Sequence, residues 1–153
     1  MKWLEMKIPP AVIFLIFASG MRGLAQTFPW AGISCPGHRL LAAALCTAGM
    51  FLGLAGIRTF RQARTTFHPG RPEHVQVLVR GSVYRISRNP MYLGLLVGMA
   101  SWGVVLANGL SLLLLPGFIA YMNRFQIFPE EYILQDKFGA EFEAYCRTVR
   151  RWL

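Results

Sequence analysis

Two polar stretches hold most of the residues in this chain that could do chemistry. The first runs from Arg80 to Gly94 and reads R-G-S-V-Y-R-I-S-R-N-P-M-Y-L-G. The second runs from Glu130 to Trp152 and opens on adjacent carboxylates, Glu130 and Glu131. Together they offer arginine donors, a carboxylate pair, phenol rings, backbone N–H groups near Gly81 and a turn fixed by Pro90. Such a set suits the positioning of a charged, aromatic small molecule. No Ser/His/Asp set stands in register, and G-x-S-x-G, P-loop and H-E-x-x-H motifs are absent; hydrolysis by a triad or by zinc is therefore poorly supported. Cys35, Cys46 and Cys146 are far apart, as are His38, His68 and His74, which predicts no metal site and no disulfide framework.

The rest of the chain reads as membrane. Its 153 residues are enough for one domain, 1–153, with 1–60 as two amino-terminal helices and 65–153 as the part carrying the motifs. Hydrophobic residues make up 54% and charged ones only 15%, against about 25% charged in soluble domains. The net charge is +9, and seven of the sixteen basic residues lie between Arg58 and Arg88. Flanked by apolar runs, that cluster reads as a topology signal rather than a nucleic-acid surface.

An apolar run from Ile8 predicts a first transmembrane helix starting near Pro9-Pro10. It is read as retained, although Gly23-Leu24-Ala25 resembles a cleavage site. Leu40 to Ile57 is uncharged and nearly spans a hydrocarbon core. Val75 to Val79 is expected as a short extended piece. Met91 to Asn123 holds no charge for thirty-three residues; it is too long for one pass, and Asn108-Gly109 near its middle predicts a helical hairpin, Met91–Ala107 and Leu110–Asn123, kinked by Pro116.

Phe128-Pro129 is expected to start a polar helix, with Pro129 in its first turn and Glu130, Glu131 and Asp136 at its positive end. Leu134, Phe138, Phe142 with Tyr145, Val149 and Trp152 recur at helical spacing as one apolar stripe. The expected fold is all-α, with about four transmembrane helices and an amphipathic C-terminal helix. The distribution of basic residues predicts cytoplasmic amino and carboxyl termini, in the inner membrane if the source is bacterial. The hairpin then returns both polar stretches to one membrane face.

The Arg80–Gly94 motif, followed after a hydrophobic hairpin by P-E-E-x-x-L-x-x-x-F-G-x-x-F-x-x-Y-x-x-x-V-R-R-W-L from Pro129, resembles the isoprenylcysteine carboxyl methyltransferase family, to which phospholipid methyltransferases are related. The resemblance covers roughly Thr65 to Leu153. It implies an integral-membrane methyltransferase that uses S-adenosylmethionine in a cytoplasmic pocket and takes a small or lipophilic methyl acceptor from the bilayer. By position it implies cofactor contacts at Gln76, Val77, Leu78, Val79, Tyr84, Asn89, Pro90, Met91, Tyr92 and Glu130, with Pro69 as a further one. Arg88, Asn89, Glu130 and Arg124 are the candidate catalytic residues. Arg88 and backbone donors would hold the cofactor's carboxylate, Glu130 a cationic group, and Tyr84 or Tyr92 the adenine.

Two departures bear on the acceptor. The carboxyl methyltransferases read R-H-P where this chain has Arg88-Asn89-Pro90. The family's substrate-contacting arginine aligns with Gln126, with Arg124 the nearest substitute. A phospholipid amine methyltransferase is therefore one rival. The other is a non-catalytic membrane protein whose arginine-rich loop binds anionic lipid or a partner. Simpler roles also exist for single residues: Glu130 and Glu131 as helix caps, Tyr84 and Tyr92 as interfacial aromatics, and Phe138, Phe142 and Tyr145 as packing.

Overall fold

A computed structural model of the chain describes residues 5–33, 36–63 and 77–153. The helices are α1 (Pro10–Thr27), α2 (His38–Gln62), α3 (Pro90–Leu106), α4 (Gly109–Leu112), α5 (Leu114–Met122), α6 (Phe128–Phe138) and α7 (Ala140–Thr148). Short 3-10 turns occupy Pro29–Ala31 and Ser82–Arg85, and a π turn occupies Asn123–Ile127. The chain is an all-α membrane protein. Among the described residues three helical stretches are long and apolar enough to cross a bilayer: α1, α2 and the 30-residue run Gly109–Phe138. Between them in sequence, α3 is a shorter apolar helix. Gln76 and Pro69, named above as cofactor contacts, lie outside the described residues, as do His68 and His74. Val77 to Val79 form no strand.

The most extensive packing joins α2 to α3. Its cause is a pair of glycine steps, Gly49-x-x-x-Gly53 on α2 and Gly94-x-x-x-Gly98 on α3. Lipid tails are as apolar as leucine, so helices in a bilayer gain by close backbone approach, which small residues allow. A Cβ at Gly49 would lie 2.8 Å from the Gly94 carbonyl oxygen, and one at Gly94 would lie 2.7 Å from that of Gly49. Farther along, a Cβ at Gly56 would meet the Met91 side chain at 2.7 Å. The glycines thereby fix where α3 begins.

Polar side chains complete the placement of α3. Ser101 Oγ donates to Ala42 O of α2 at 2.8 Å, and the Trp102 indole donates to Ala18 O of α1 at 3.0 Å. At the hairpin tip Asn108 is buried rather than solvent-exposed. Its side chain accepts from Ser111 N–H at 3.1 Å, starting α4, and donates to Phe28 O at 2.9 Å. The ring of Pro116 opposes the carbonyl of Leu112, and α4 ends at that residue, so the expected kink falls at Leu113.

Phe128-Pro129 opens α6 as expected, with Pro129 in its first turn and Glu130 and Glu131 following, and the closing arm runs into it without a break. Pro129 has no N–H for the Phe125 carbonyl four residues earlier, and the helix widens to a π turn there. One expectation for the C-terminal third is corrected: Glu130–Trp152 is not one helix. Gly139, at φ 49° and ψ −123°, breaks it into α6 and α7, a backbone conformation that glycine adopts without a Cβ clash. The stripe from Leu134 to Trp152 is thus split, with only Phe142 and Tyr145 of it buried.

Replacing Gly94 by Val forces the α2–α3 backbones apart. The expected loss of unfolding free energy in detergent is about 1–3 kcal/mol. Gly23→Ala, where nothing lies within 4 Å of the added carbon, is expected to be neutral or slightly stabilising. Parallel thermal and denaturant melts check the pair.

Candidate functional site

The first polar stretch is held against the α2–α3 pair by its own apolar residues. Val79, Val83 and Tyr84 are buried, packed on Ala55 and Phe60 of α2, on Ala63 just past its end and on Met91. The Tyr84 ring meets Phe60 edge-on, with 5.3 Å between centroids. Val77 is exposed. Asn89 N–H donates to the buried Ser87 Oγ at 3.1 Å, forming the turn that leads into Pro90. Proline suits the first helical position because its absent N–H has no partner to lose there.

That turn docks on the end of the chain. Arg88 N–H donates to Arg150 O at 3.0 Å. Ser87 Oγ and Asn89 Nδ2 donate to Arg151 O at 3.2 and 3.0 Å. Glu131 ties the same parts together by charge. It accepts Arg151 Nε and Nη2 at 3.1 and 2.6 Å, and its Oε1 lies 3.0 Å from Arg88 Nη2. The two arginines and the carboxylate are all at least two-thirds buried, so this triad is far less screened than a surface pair. The Trp152 indole donates to Asn123 Oδ1 at 3.0 Å, fastening the last residues to the π turn.

Glu130 lies one residue before the triad's carboxylate and faces α3. Tyr92 O–H donates to Glu130 Oε1 at 2.6 Å. Tyr145 O–H donates to Tyr84 O at 2.6 Å. Burial, with Tyr145 and Glu130 nearby, raises the Tyr84 phenol well above its ordinary value, so it is a neutral donor. Burial pushes Tyr145 up to about 12. Burial also raises the Cys146 thiol, against the pull of the neighbouring Arg88.

Two buried donors, Tyr84 O–H and Arg88 Nε, have no hydrogen-bond partner among the described residues. A buried polar group left alone costs about 1–3 kcal/mol, so orphaned donors beside a carboxylate mark a place for a polar ligand.

Of the residues named from the sequence, Tyr84, Arg88, Asn89, Tyr92 and Glu130 come together here, and Pro90 and Met91 form the α3 start beneath them. The Asn89 amide is occupied with the backbone of Arg151. Arg124 turns elsewhere: it pairs with Glu5 at 2.7 Å, half exposed. Gln126 is fully buried and donates to Ile8 O at 2.7 Å, and its Oε1 has no partner. With Met6 N–H on Phe125 O at 2.9 Å, these contacts strap the amino-terminal segment onto the π turn. Sequence reasoning missed this strap and the Glu131 triad. The opposite charges of Arg88, Glu131 and Arg151 in the two motifs were the available signal for the triad.

Glu131→Ala is expected to release the C-terminal docking. Hydrogen bonds to charged groups contribute about 1.5–3 kcal/mol, so the Arg88 amide should exchange roughly ten- to a hundredfold faster. Amide hydrogen exchange checks it. Tyr145 adds a pH dependence: its phenol keeps its proton in the fold to about 12, against 10.0 unfolded. Its stabilisation is complete below pH 10 and declines as pH rises towards 12. Alkaline melts of wild type and Tyr145→Phe should differ in slope over that window.

Comparison with known proteins adds a family. A family model described as phospholipid methyltransferase matches residues 38–141. An uncharacterized protein of Haemophilus influenzae is 46% identical over 63 residues, covering 41% of this chain and 100% of that protein. No solved structure matches.

Proposed function

The chain belongs to the phospholipid methyltransferase family, and on that premise we propose that it transfers a methyl group from S-adenosylmethionine to an amine carried by a lipid. The observation that carries the cofactor assignment is the cluster of Glu130, held by Tyr92, beside the orphaned donors Tyr84 O–H and Arg88 Nε. S-adenosylmethionine presents an ammonium group, a carboxylate and ribose hydroxyls, and these residues offer the complementary charges and donors. When bound, the cofactor supplies an electrophilic methyl on its sulfonium.

In such a transfer the acceptor amine would gain the methyl group and lose a proton where it had one, while Glu130 with Tyr92 would hold the cofactor's ammonium group and Arg88 with Tyr84 its carboxylate and hydroxyls. The chain's contribution is to hold the two reactants together.

An amine is favoured over a carboxylate by the arginines. Arg88 and Arg151 share Glu131, and Arg124 is paired with Glu5. Asn89 and Gln126, where the related carboxyl methyltransferases place charged or ionisable residues, are neutral amides. With Arg88 given to the cofactor's carboxylate, a carboxylate acceptor finds among these residues only guanidinium groups already paired with Glu131 or Glu5.

Membranes containing the protein, given S-adenosylmethionine labelled in its methyl group, should transfer label to extractable lipid in a form stable to mild base. A methyl ester would instead release methanol. Truncating one member of a buried charge pair costs about 2–5 kcal/mol, so Glu130→Gln should lower transfer by about 30-fold or more. Tyr92→Phe should lower it by about tenfold. Base-labile label would overturn the amine assignment, and undiminished transfer by Glu130→Gln would overturn the site.

A further inference from the structure

A groove runs along the bundle on the side away from the site. Helices α1 and α2 both pack on α3 and scarcely on each other, leaving a channel between them. Gly98 and Trp102 form its floor, Phe14 one wall, and Ala43 and Cys46 the other. Its volume is about 490 Å³, within the ~300–1,000 Å³ typical of small-molecule sites. The floor is rigid, because Trp102 is bonded to Ala18 O and Ser101 to Ala42 O. The absence of a side chain at Gly98 and the small one at Ala43 keep the channel open.

One end of the groove is charged. Arg39 lines it there, is exposed, and has no acidic partner among the described residues. It stands in the first turn of α2, beside the last turn of α3. The candidate site lies at the other end of α3, about 22 Å away along the helix. A molecule with its polar head at Arg39 therefore has that head at the opposite membrane face from Glu130, and cannot be the methyl acceptor poised for reaction.

We propose that this groove binds one phospholipid from the leaflet opposite the site, with its phosphate on Arg39 and one acyl chain lying over Gly98 and Trp102. The chemistry is complementary at both ends: a guanidinium for a phosphate oxygen pair, and an uncharged channel for a hydrocarbon chain. Both walls belong to helices long and apolar enough to cross a membrane, so lipid surrounds the groove. The binding is independent of the methyl-transfer reading, because the groove shares no residue with Tyr84, Arg88, Tyr92 or Glu130.

Native mass spectrometry of the detergent-purified full chain, titrated with palmitoyl-oleoyl phosphatidylglycerol, tests the proposal. Wild type should saturate at one tightly held lipid per chain. A basic residue near a membrane surface contributes about 1 kcal/mol to binding an anionic lipid, so Arg39→Gln should weaken retention about fivefold. Ala43→Phe, which fills the channel, should remove the saturable component. Unfolding is controlled by Ala43→Leu, a smaller filling that should give an intermediate loss. Equal retention in wild type, Arg39→Gln and Ala43→Phe would overturn the proposal. So would a dimer mass that disappears in Ala43→Phe without any bound lipid.

Discussion

The backbone contact between Gly49-x-x-x-Gly53 and Gly94-x-x-x-Gly98 is the constraint from which the rest of the molecule follows. Two helices in which each glycine abuts a carbonyl of the other have little freedom to slide or rotate. Because Gly56 continues the contact to Met91 and Pro90, the start of α3 is fixed to within the play of one side chain. Tyr92 is the third residue of α3, and Tyr84 packs against the same end of α2 through Phe60. Backbone packing in the bilayer thus sets the position of the polar groups at its edge. In a soluble protein a buried apolar core would do this; here lipid removes most of the hydrophobic drive between helices, and fit replaces it.

A second constraint comes from Pro129. Its missing N–H frees the Phe125 carbonyl, and the wider π turn around it gathers both chain ends. Met6 takes the freed carbonyl, Gln126 holds Ile8, and Asn123 accepts the Trp152 indole. Such turns inside α-helices are frequent at functional sites, and this one leads directly into Glu130 and Glu131. The two carboxylates then divide their work. Glu131 is consumed by Arg88 and Arg151 in joining the motifs, while Glu130 takes the Tyr92 phenol and lies near Tyr84. Adjacent identical residues have different roles because a helix turns them about 100° apart.

Much of the architecture was legible in the sequence. The uncharged run from Met91 to Asn123 could only fold back on itself, and Asn108-Gly109 marked the bend. The glycine steps were also in plain sight, yet a small-xxx-small pattern has meaning only when the partner helix is known. The start of α6 at Phe128-Pro129 was legible, whereas its end at Gly139 was not, because the apolar spacing runs on past that residue. Of the site, the convergence of Tyr84, Arg88, Tyr92 and Glu130 was readable from two motifs returned to one membrane face. The ion-paired state of Arg88 and the turning of Arg124 to Glu5 were not, since both depend on contacts between residues far apart in the chain.

The most direct test of the central claim is isothermal calorimetry of S-adenosylmethionine binding to the full chain in lipid nanodiscs. The account predicts saturable binding at one molecule per chain, reduced by removing the Tyr84 hydroxyl as Tyr84→Phe, because that donor has no other partner among the described residues. A folded wild-type chain that gives no binding heat and protects no tryptic site on titration would contradict it, and the orphaned donors would then need another ligand.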